Sequence, residues 1–202
     1  MSTPLGYFEQ MYADSPDPWS FESRWYDDRK HQLTVAALPR ARYRSAFEPG
    51  CSTGTLTARL APRCAALLAV DAVGSAVATA AHRLASQPHV TVAQARMPYD
   101  WPRQTFDLIV LSELGYYFDD IDLDALIAQS VAALEPGGDL VAVHWRRPVA
   151  EHARPGEEVH ARLDATPGLE LTAQHIEADF LLEVYARTPP AARSVAEREG
   201  LC

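Results

Sequence analysis

The segment Phe47-Glu48-Pro49-Gly50-Cys51-Ser52-Thr53-Gly54, with Asp71 seventeen residues further on at the end of the apolar run Ala66-Leu67-Leu68-Ala69-Val70, confines this chain to a narrow set of folds. A strand ending in a glycine turn, then a helix, then a strand ending in an acid is a nucleoside-binding βαβ unit. Gly50 and Gly54 lack a Cβ, so the backbone there is free to turn sharply and approach a ligand closely. The helix after Gly54 offers unpaired N–H groups to a small anion. Asp71 supplies two acceptor oxygens for a ribose diol. A dinucleotide turn would read GxGxxG, whereas here Ser52 stands in the middle glycine slot.

The rest of the chain repeats the alternation. A helix is predicted within residues 30–40, ending before Pro39, and the first strand over 45–48. Residues 55–60 read as a helix stopped by Pro62, 67–70 as the second strand and the alanine-rich 75–84 as a helix. Residues 89–93 alternate as a third strand. Phe106 to Leu111 is a near-continuous apolar run of the kind buried on both faces of a sheet. Leu123, Leu126, Ile127, Ser130, Val131 and Leu134 recur at helical spacing, and Pro136-Gly137-Gly138 is predicted to end that helix. Residues 140–145 form the fifth strand, 146–158 a loop, 159–163 a short helix, and 169–176 with 180–186 an antiparallel pair. Five βα units and a terminal β pair imply an α/β fold with a mostly parallel sheet and helices on both faces. The ligand rim then gathers Gly50 to Gly54, Asp71, Ala95-Arg96-Met97, Ser112 to Tyr117, and His144 with Trp145.

A chain of 202 residues suits one such domain, with 48% apolar and 22% charged residues in the ordinary globular range. The first twenty residues lack the pattern of a secretory signal, and no stretch reaches membrane-span length. Three cysteines without metal-type spacing fit a reducing cytoplasm. A net charge of −9 disfavours nucleic acid as a partner and suits a neutral or cationic small molecule. Oligomeric state is open. The histidines and acids His144, His152, His160, His175, Glu151, Glu157 and Glu158 show no HExxH or other compact ligand spacing, so no metal is expected. There is no GxSxG elbow and no phosphate loop, which removes hydrolase and kinase readings.

EPGCSTG resembles the first motif of class I methyltransferases, E/D-x-G-x-G-x-G, with one glycine replaced by Ser52. Beyond it, Tyr7-Phe8, Asp17-Pro18-Trp19, Tyr26, Leu38-Pro39-Arg40, LLAVD, Pro88-His89-Val90, Trp101-Pro102, FDLIVLSELGYYF, Pro136-Gly137-Gly138 and Val143-His144-Trp145-Arg146 together resemble the nodulation protein S family of S-adenosylmethionine-dependent methyltransferases. The resemblance runs over residues 5 to about 165. It implies a Rossmann-like seven-stranded methyltransferase sheet over 45–188, behind an aromatic cofactor lid over 1–44 and before a polar, frayed tail over 189–202. It also implies methyl transfer to a small-molecule acceptor, typified by N-methylation of the free amine of a deacetylated chitooligosaccharide.

On that resemblance the cofactor-binding candidates are Trp19, Tyr26, Arg29, Glu48, Gly50, Ser52, Gly54, Thr55, Asp71, Ala72, Arg96, Met97, Ser112 and Glu113. Seven of the eighteen aromatic residues fall in the first twenty-six positions, and such rings favour a sulfonium cation and exclude water. Arg29 is assigned to the cofactor carboxylate, with a surface pair to Asp27 or Glu22 as the alternative. Because the sulfonium methyl is already activated, the protein's task is to align the acceptor and receive a proton. Glu113, Tyr116 and His144 are the catalytic candidates: Glu113 to orient an ammonium, His144 for its reference pKa. A strand-end histidine satisfied by backbone is the competing account of His144. A non-catalytic cofactor-binding or regulatory protein is the competing function, supported by Ser52 in the glycine slot, and nicotinamide redox chemistry is disfavoured by the missing GxGxxG.

Overall fold

The computed structural model describes residues 1–202. Its centre is a seven-stranded sheet in the order β3-β2-β1-β4-β5-β7-β6. The strands are β1 Ala46–Pro49, β2 Leu67–Asp71, β3 Val90–Gln94, β4 Phe106–Ser112, β5 Leu134–Trp145, β6 Leu169–Ile176 and β7 Phe180–Arg187. β1 to β5 run parallel, and β7 lies antiparallel between β5 and β6. This is the mostly parallel sheet with a terminal antiparallel pair that the sequence implies.

Residue alternation along the central strands separates two cores. Phe47, Ile109, Leu111, Leu140 and Ala142 point to the face covered by helices α5 (Asp120–Ala133) and α6 (Gly156–Asp164), where they meet Leu123, Leu126, Ile127, Val159 and Leu163. Ala46, Leu108, Val110, Val141 and Val143 point to the other face, beneath Leu38 and beneath Leu56 and Leu60 of α3 (Thr55–Leu60). Strand β4 is buried on both faces from Phe106 to Leu111, which explains its apolar run, broken only by Asp107. Helix α4 (Gly74–Arg83) packs beside β2 and β3. Two helices precede the sheet, α1 (Leu5–Asp14) and α2 (Trp25–Ala36).

Four expectations are corrected. Helix α2 begins at Trp25, not at residue 30, and its buried face is Asp27, Lys30, His31 and Thr34, a polar stripe that hydrophobic periodicity does not register. Pro136-Gly137-Gly138 lies within β5, whose register against β4 slips between Phe106 and Leu108. The slip leaves Pro136 in a broken stretch of ladder where its missing N–H costs little. β3 leads to β4 through residues 95–105 without a helix, since Pro98 and Pro102 interrupt that stretch, so the five βα units are four. The tail is docked: Ser194 caps α7 (Val195–Arg198) in a reciprocal box with Glu197, and Arg198 reaches the buried Asp139 at 3.2 Å. Asp139 is 1% exposed and also accepts from Arg40 and Tyr43, each at 2.9 Å, so its burial recruits cations from both ends of the chain. No helix is long and apolar enough to cross a membrane.

Candidate active site

At the carboxyl ends of β1, β2 and β4 the sheet opens into a cavity of about 560 Å³ that α1 and α2 help to line. Its floor is the turn after β1. Gly50 has φ +76°, and a Cβ there would lie 3.0 Å from Leu114 Cδ1, so the backbone itself forms the wall. Ser52 adopts φ 51°, the left-handed conformation that a glycine would take in this slot. Its N–H donates to Asp71 Oδ2 at 2.9 Å, and its hydroxyl meets the Tyr12 hydroxyl of α1 at 2.6 Å. Asp71 also accepts from Val73 N at 2.9 Å through Oδ1, so each oxygen spends one acceptor position on the turn and keeps one for a ligand. Burial raises the Asp71 carboxyl, and the N–H groups of Val73, Ser52 and Ala72 partly offset that.

Most of the residues predicted from sequence line this cavity: Trp19, Tyr26, Glu48, Gly50, Ser52, Thr55, Asp71, Ala72, Arg96, Met97, Ser112, Glu113 and Tyr116. Gly54 does not. It starts α3 with φ +77°, and its missing Cβ makes room for α4, because a Cβ would stand 3.0 Å from Ala80 Cβ and 3.2 Å from Ala80 Cα. Arg29 is also outside, held bidentately by Glu177 of β6 and β7's connecting turn at 2.9 and 2.7 Å. The cations that line the cavity from that region are Arg24, at the N-cap of α2, and Lys30. Of the early aromatic residues, Trp25 is 69% exposed and covers nothing. Tyr12, Trp19 and Phe21 form a chain of rings with centroids 5.6 Å apart, and Phe8 meets Tyr117 edge-on at 4.8 Å.

The opposite wall carries an ion cluster. Lys30, the single lysine among eighteen basic residues, is 3% exposed and reaches Glu113 Oε1 at 2.9 Å and Asp27 Oδ1 at 3.3 Å. Glu113 Oε2 accepts from Trp145 N at 3.1 Å and from the Tyr116 hydroxyl. Glu113 itself has φ 54°, a strained conformation held by its N–H bond to Val143 O at 2.8 Å and by these side-chain contacts. Burial alone would raise the Glu113 carboxyl, but Lys30, Tyr116 and Trp145 outweigh it and hold the group below the ordinary carboxylate value. Burial likewise opposes the charge on Lys30, and Glu113 with Asp27 more than restores it. Tyr116 is buried, a donor to Glu113, with its hydroxyl pKa pushed well up by burial and by that carboxylate.

His144 is not on the rim. It is 0% exposed and faces α6, where Gly115 N donates to its Nε2 at 3.1 Å and its Nδ1 meets His160 Nε2 at 3.0 Å. His160 Nδ1 in turn meets Glu183 Oε2 at 2.6 Å. Because Gly115 N is a donor, His144 Nε2 carries no proton, which places the ring proton on Nδ1 and fixes the same tautomer at His160. Burial, then the neighbouring histidines and Lys30, push the His144 pKa well down. Its function is to hold the turn Gly115–Tyr117 that presents Tyr116 and Tyr117 to the cavity. Sequence reasoning missed Arg24, Asp27 and Lys30, though a lone lysine in an arginine-rich chain was a visible signal.

The chemistry of this lining is specific. Glu48 is 2% exposed and its Oε2 has no partner in the protein, an orphaned acceptor suited to an ammonium. Arg24 suits a carboxylate, Asp71 a diol, and Met97 with Leu114 a planar apolar base. Together they fit an α-amino acid joined to a nucleoside. No group of three His, Cys, Asp or Glu side chains is gathered as a metal ligand set.

Comparison with known proteins agrees with that donor set. The profile of the Nodulation protein S (NodS) family matches residues 9–160. Nodulation protein S of Sinorhizobium fredii strain NBRC 101917 / NGR234 is 31% identical over 127 residues, 62% of this chain and 59% of that protein. The Rhizobium tropici protein is 30% identical over 134 residues, 65% of this chain and 56% of its own length. The match thus spans less than two thirds of these curated relatives. The crystal structure of N-methyltransferase NodS from Bradyrhizobium japonicum WM9 in complex with S-adenosyl-L-homocysteine superposes with a TM-score of 0.81 at 26% identity, covering 90% of this chain and 97% of that one. A Pseudomonas syringae protein assigned as a methyltransferase superposes with a TM-score of 0.72 at 49% identity, over 81% of this chain and 100% of its own. S-adenosylhomocysteine carries an ammonium, a carboxylate, a ribose diol and adenine, the four groups for which Glu48, Arg24, Asp71 and the Met97–Leu114 wall are suited. With its seven-stranded sheet, its EPGCSTG turn and a family profile matched over three quarters of its length, this chain belongs to the nodulation protein S family.

Proposed function

We propose that this protein is an S-adenosylmethionine-dependent methyltransferase acting in the cytoplasm on a small-molecule amine, with a deacetylated amino sugar or oligosaccharide as the acceptor class. The observation that carries the reading is one continuous cavity joining the nucleoside-binding turn to the charged and aromatic wall of Asp27, Lys30, Glu113 and Tyr116. The N-methyltransferase named among the solved relatives supports the choice of nitrogen over oxygen. The segment 1–44 acts as the lid, 45–188 as the catalytic domain and 189–202 as a docked tail.

When bound, the cofactor supplies a methyl group already activated on a sulfonium sulfur, so no covalent protein nucleophile is needed. Arg24 and Glu48 grip its amino-acid end, and Asp71 grips the diol. Two carboxylates against one lysine leave the acceptor wall with a net charge of about −1, which draws an ammonium toward Glu113. Tyr26 and Trp145, edge-on at 5.5 Å, and the Tyr116–Tyr117 pair at 4.8 Å exclude water from the reacting centre. Ser52 keeps the turn's left-handed backbone, so the substitution that favoured a non-catalytic protein leaves the cradle's shape intact.

Calorimetric titration with S-adenosylhomocysteine, with NAD as the control, tests the cofactor. Product analysis over glucosamine, its β-linked oligomers and simple amines and alcohols tests the acceptor. Binding of the first ligand alone, with N-methylated product, is the expected result. Binding without turnover of any acceptor would return the non-catalytic reading.

The cradle also predicts a proton release. Burial pushes the Glu48 carboxyl up to about 8, so in the free protein it is protonated at pH 7, whereas the unfolded chain ionises near 4.5. Between those values the native state binds the extra proton, so stability falls as pH rises, by up to about 1.4 kcal/mol per unit, and Glu48→Gln removes that slope. An ammonium beside Glu48 favours the ionised form, so S-adenosylhomocysteine binding releases a proton and tightens from pH 6 to 8. Calorimetry in buffers of different ionisation enthalpy reads that proton; identical heats in all buffers would remove Glu48 as the ammonium's partner.

A further inference from the structure

We infer that His152 takes the proton from the acceptor amine, an assignment that rests on the amine reading above. His152 lies in the loop between β5 and α6 and lines the cavity. Its ring is stacked on Tyr116 at 3.7 Å with an interplanar angle of 12°, and stands edge-on to Tyr117 at 5.0 Å. The two tyrosines fix the imidazole plane, and its backbone N–H is anchored to Val149 O at 3.2 Å. Neither ring nitrogen is engaged by a protein group, so both are free for a ligand in the cavity.

The other titratable groups of this wall are committed. Glu113 accepts from Lys30, Tyr116 and Trp145, and Asp27 shares Lys30, so a proton on either carboxylate would break a buried ion pair. Tyr116 and Tyr117 hold their protons, their hydroxyl pKa values raised by burial and then by Glu113. His144 is sealed in its bond to Gly115 and His160. Around His152 the charged groups are Glu113 and Glu151; burial lowers its pKa and those two acids only partly restore it, which keeps the ring neutral and basic at pH 7. In the step, one N–H bond of the substrate ammonium breaks, its electron pair stays on nitrogen as the attacking lone pair, and the proton moves to a His152 ring nitrogen. The nitrogen then gains the methyl group as the methyl–sulfur bond breaks and leaves its electron pair on sulfur, the methylated amine departs as a cation, and half-buried His152 returns its proton to water. An imidazolium over the Tyr116 face is favoured by the ring's quadrupole.

The test is His152→Gln, which keeps a planar polar group but takes no proton. At pH 7 methylation of the amine acceptor should fall about 100-fold, mainly in kcat, and the loss should shrink toward pH 9, where the free amine supplies its own lone pair. S-adenosylhomocysteine affinity should be unchanged, which excludes misfolding. Independently of turnover, the His152 ring resonances of the wild-type S-adenosylhomocysteine complex should titrate with a midpoint below 6.5 and shift on addition of glucosamine oligomers. A variant with wild-type rate and pH profile, or a ring unaffected by the amine, would overturn the assignment and leave the amine reading standing. A wild-type protein that binds the cofactor product yet methylates only hydroxyl acceptors would overturn both.

Discussion

Lys30→Met is expected to destabilise this protein by about 3–5 kcal/mol, the cost of leaving buried carboxylates without their counter-charge. Lys30 is 3% exposed, Asp27 4%, and together with Glu113 they bring three charges into one wall. The lysine does not earn its place as a source of net stability, because desolvation offsets most of what the ion pairs contribute. Its removal is costly because two acids stay behind. They will respond by binding protons, so the deficit should be largest at pH 8 and smaller at pH 5. The sign follows from linkage: without Lys30 the folded-state pKa of Glu113 rises above its unfolded value and that of Asp27, already raised by burial, rises further, so stability is lost as pH increases. In the parent the sense is opposite for Glu113, whose depressed pKa contributes stability that disappears as pH falls. Urea denaturation of both proteins at the two pH values measures this, and a triple variant that also carries Asp27→Asn and Glu113→Gln should recover most of the loss. A deficit under about 1 kcal/mol at pH 8 would mean that water reaches the cluster and that the pairs are worth no more than surface ones.

The second large effect falls on cofactor affinity. Asp71→Ala should weaken S-adenosylhomocysteine binding by at least about 100-fold, or about 2.7 kcal/mol. Two losses combine. The ribose diol loses its acceptors, and Ser52 N and Val73 N, each 2.9 Å from an Asp71 oxygen, lose theirs. Ser52 then loses the hydrogen bond of its own N–H and keeps the side-chain contact of its hydroxyl with Tyr12 at 2.6 Å. Asp71→Asn keeps one acceptor oxygen and should lose about tenfold, near 1.4 kcal/mol. Calorimetric titration separates the three proteins. Binding by Asp71→Ala within threefold of the parent would show that the diol is held elsewhere.

These two cases differ in how far they could be read before the chain was folded. Asp71 was legible because its place is set by local connectivity: a turn, a helix and a strand of fixed length return the acid beside the glycine turn, as the pairing of Glu48 with Ala69 and Pro49 with Val70 shows. The same holds for β4, whose apolar run follows from burial on both faces, and for α3, whose bounds Thr55–Leu60 match the sequence reading because a glycine turn and Pro62 delimit it. Ser52 was legible as a departure from the motif, but that it takes a glycine's φ is a property of the folded turn.

The lysine cluster was not legible. Glu113 and Lys30 are 83 residues apart in sequence, and the buried face of α2 is polar, so no hydrophobic repeat marks which of Arg24, Arg29 and Lys30 points inward. Starting that helix at residue 30 hid the Asp27–Lys30–His31–Thr34 stripe. His144 stands at the end of the strand where a ligand rim is expected, yet alternation along β5 places its side chain with Leu140 and Ala142 on the α6 face, and the Gly115 N–H decides its tautomer. His152, in a polar loop, acquired its setting only when Tyr116 and Tyr117 were brought against it. The sequence by itself determined the sheet, its strand faces and the glycine turn with its acid, because those depend on periodicity and on turns a few residues long. The tertiary structure alone decided which charges are buried, which partner each takes and which imidazole meets the cavity, because such choices depend on contacts between segments that the chain holds far apart.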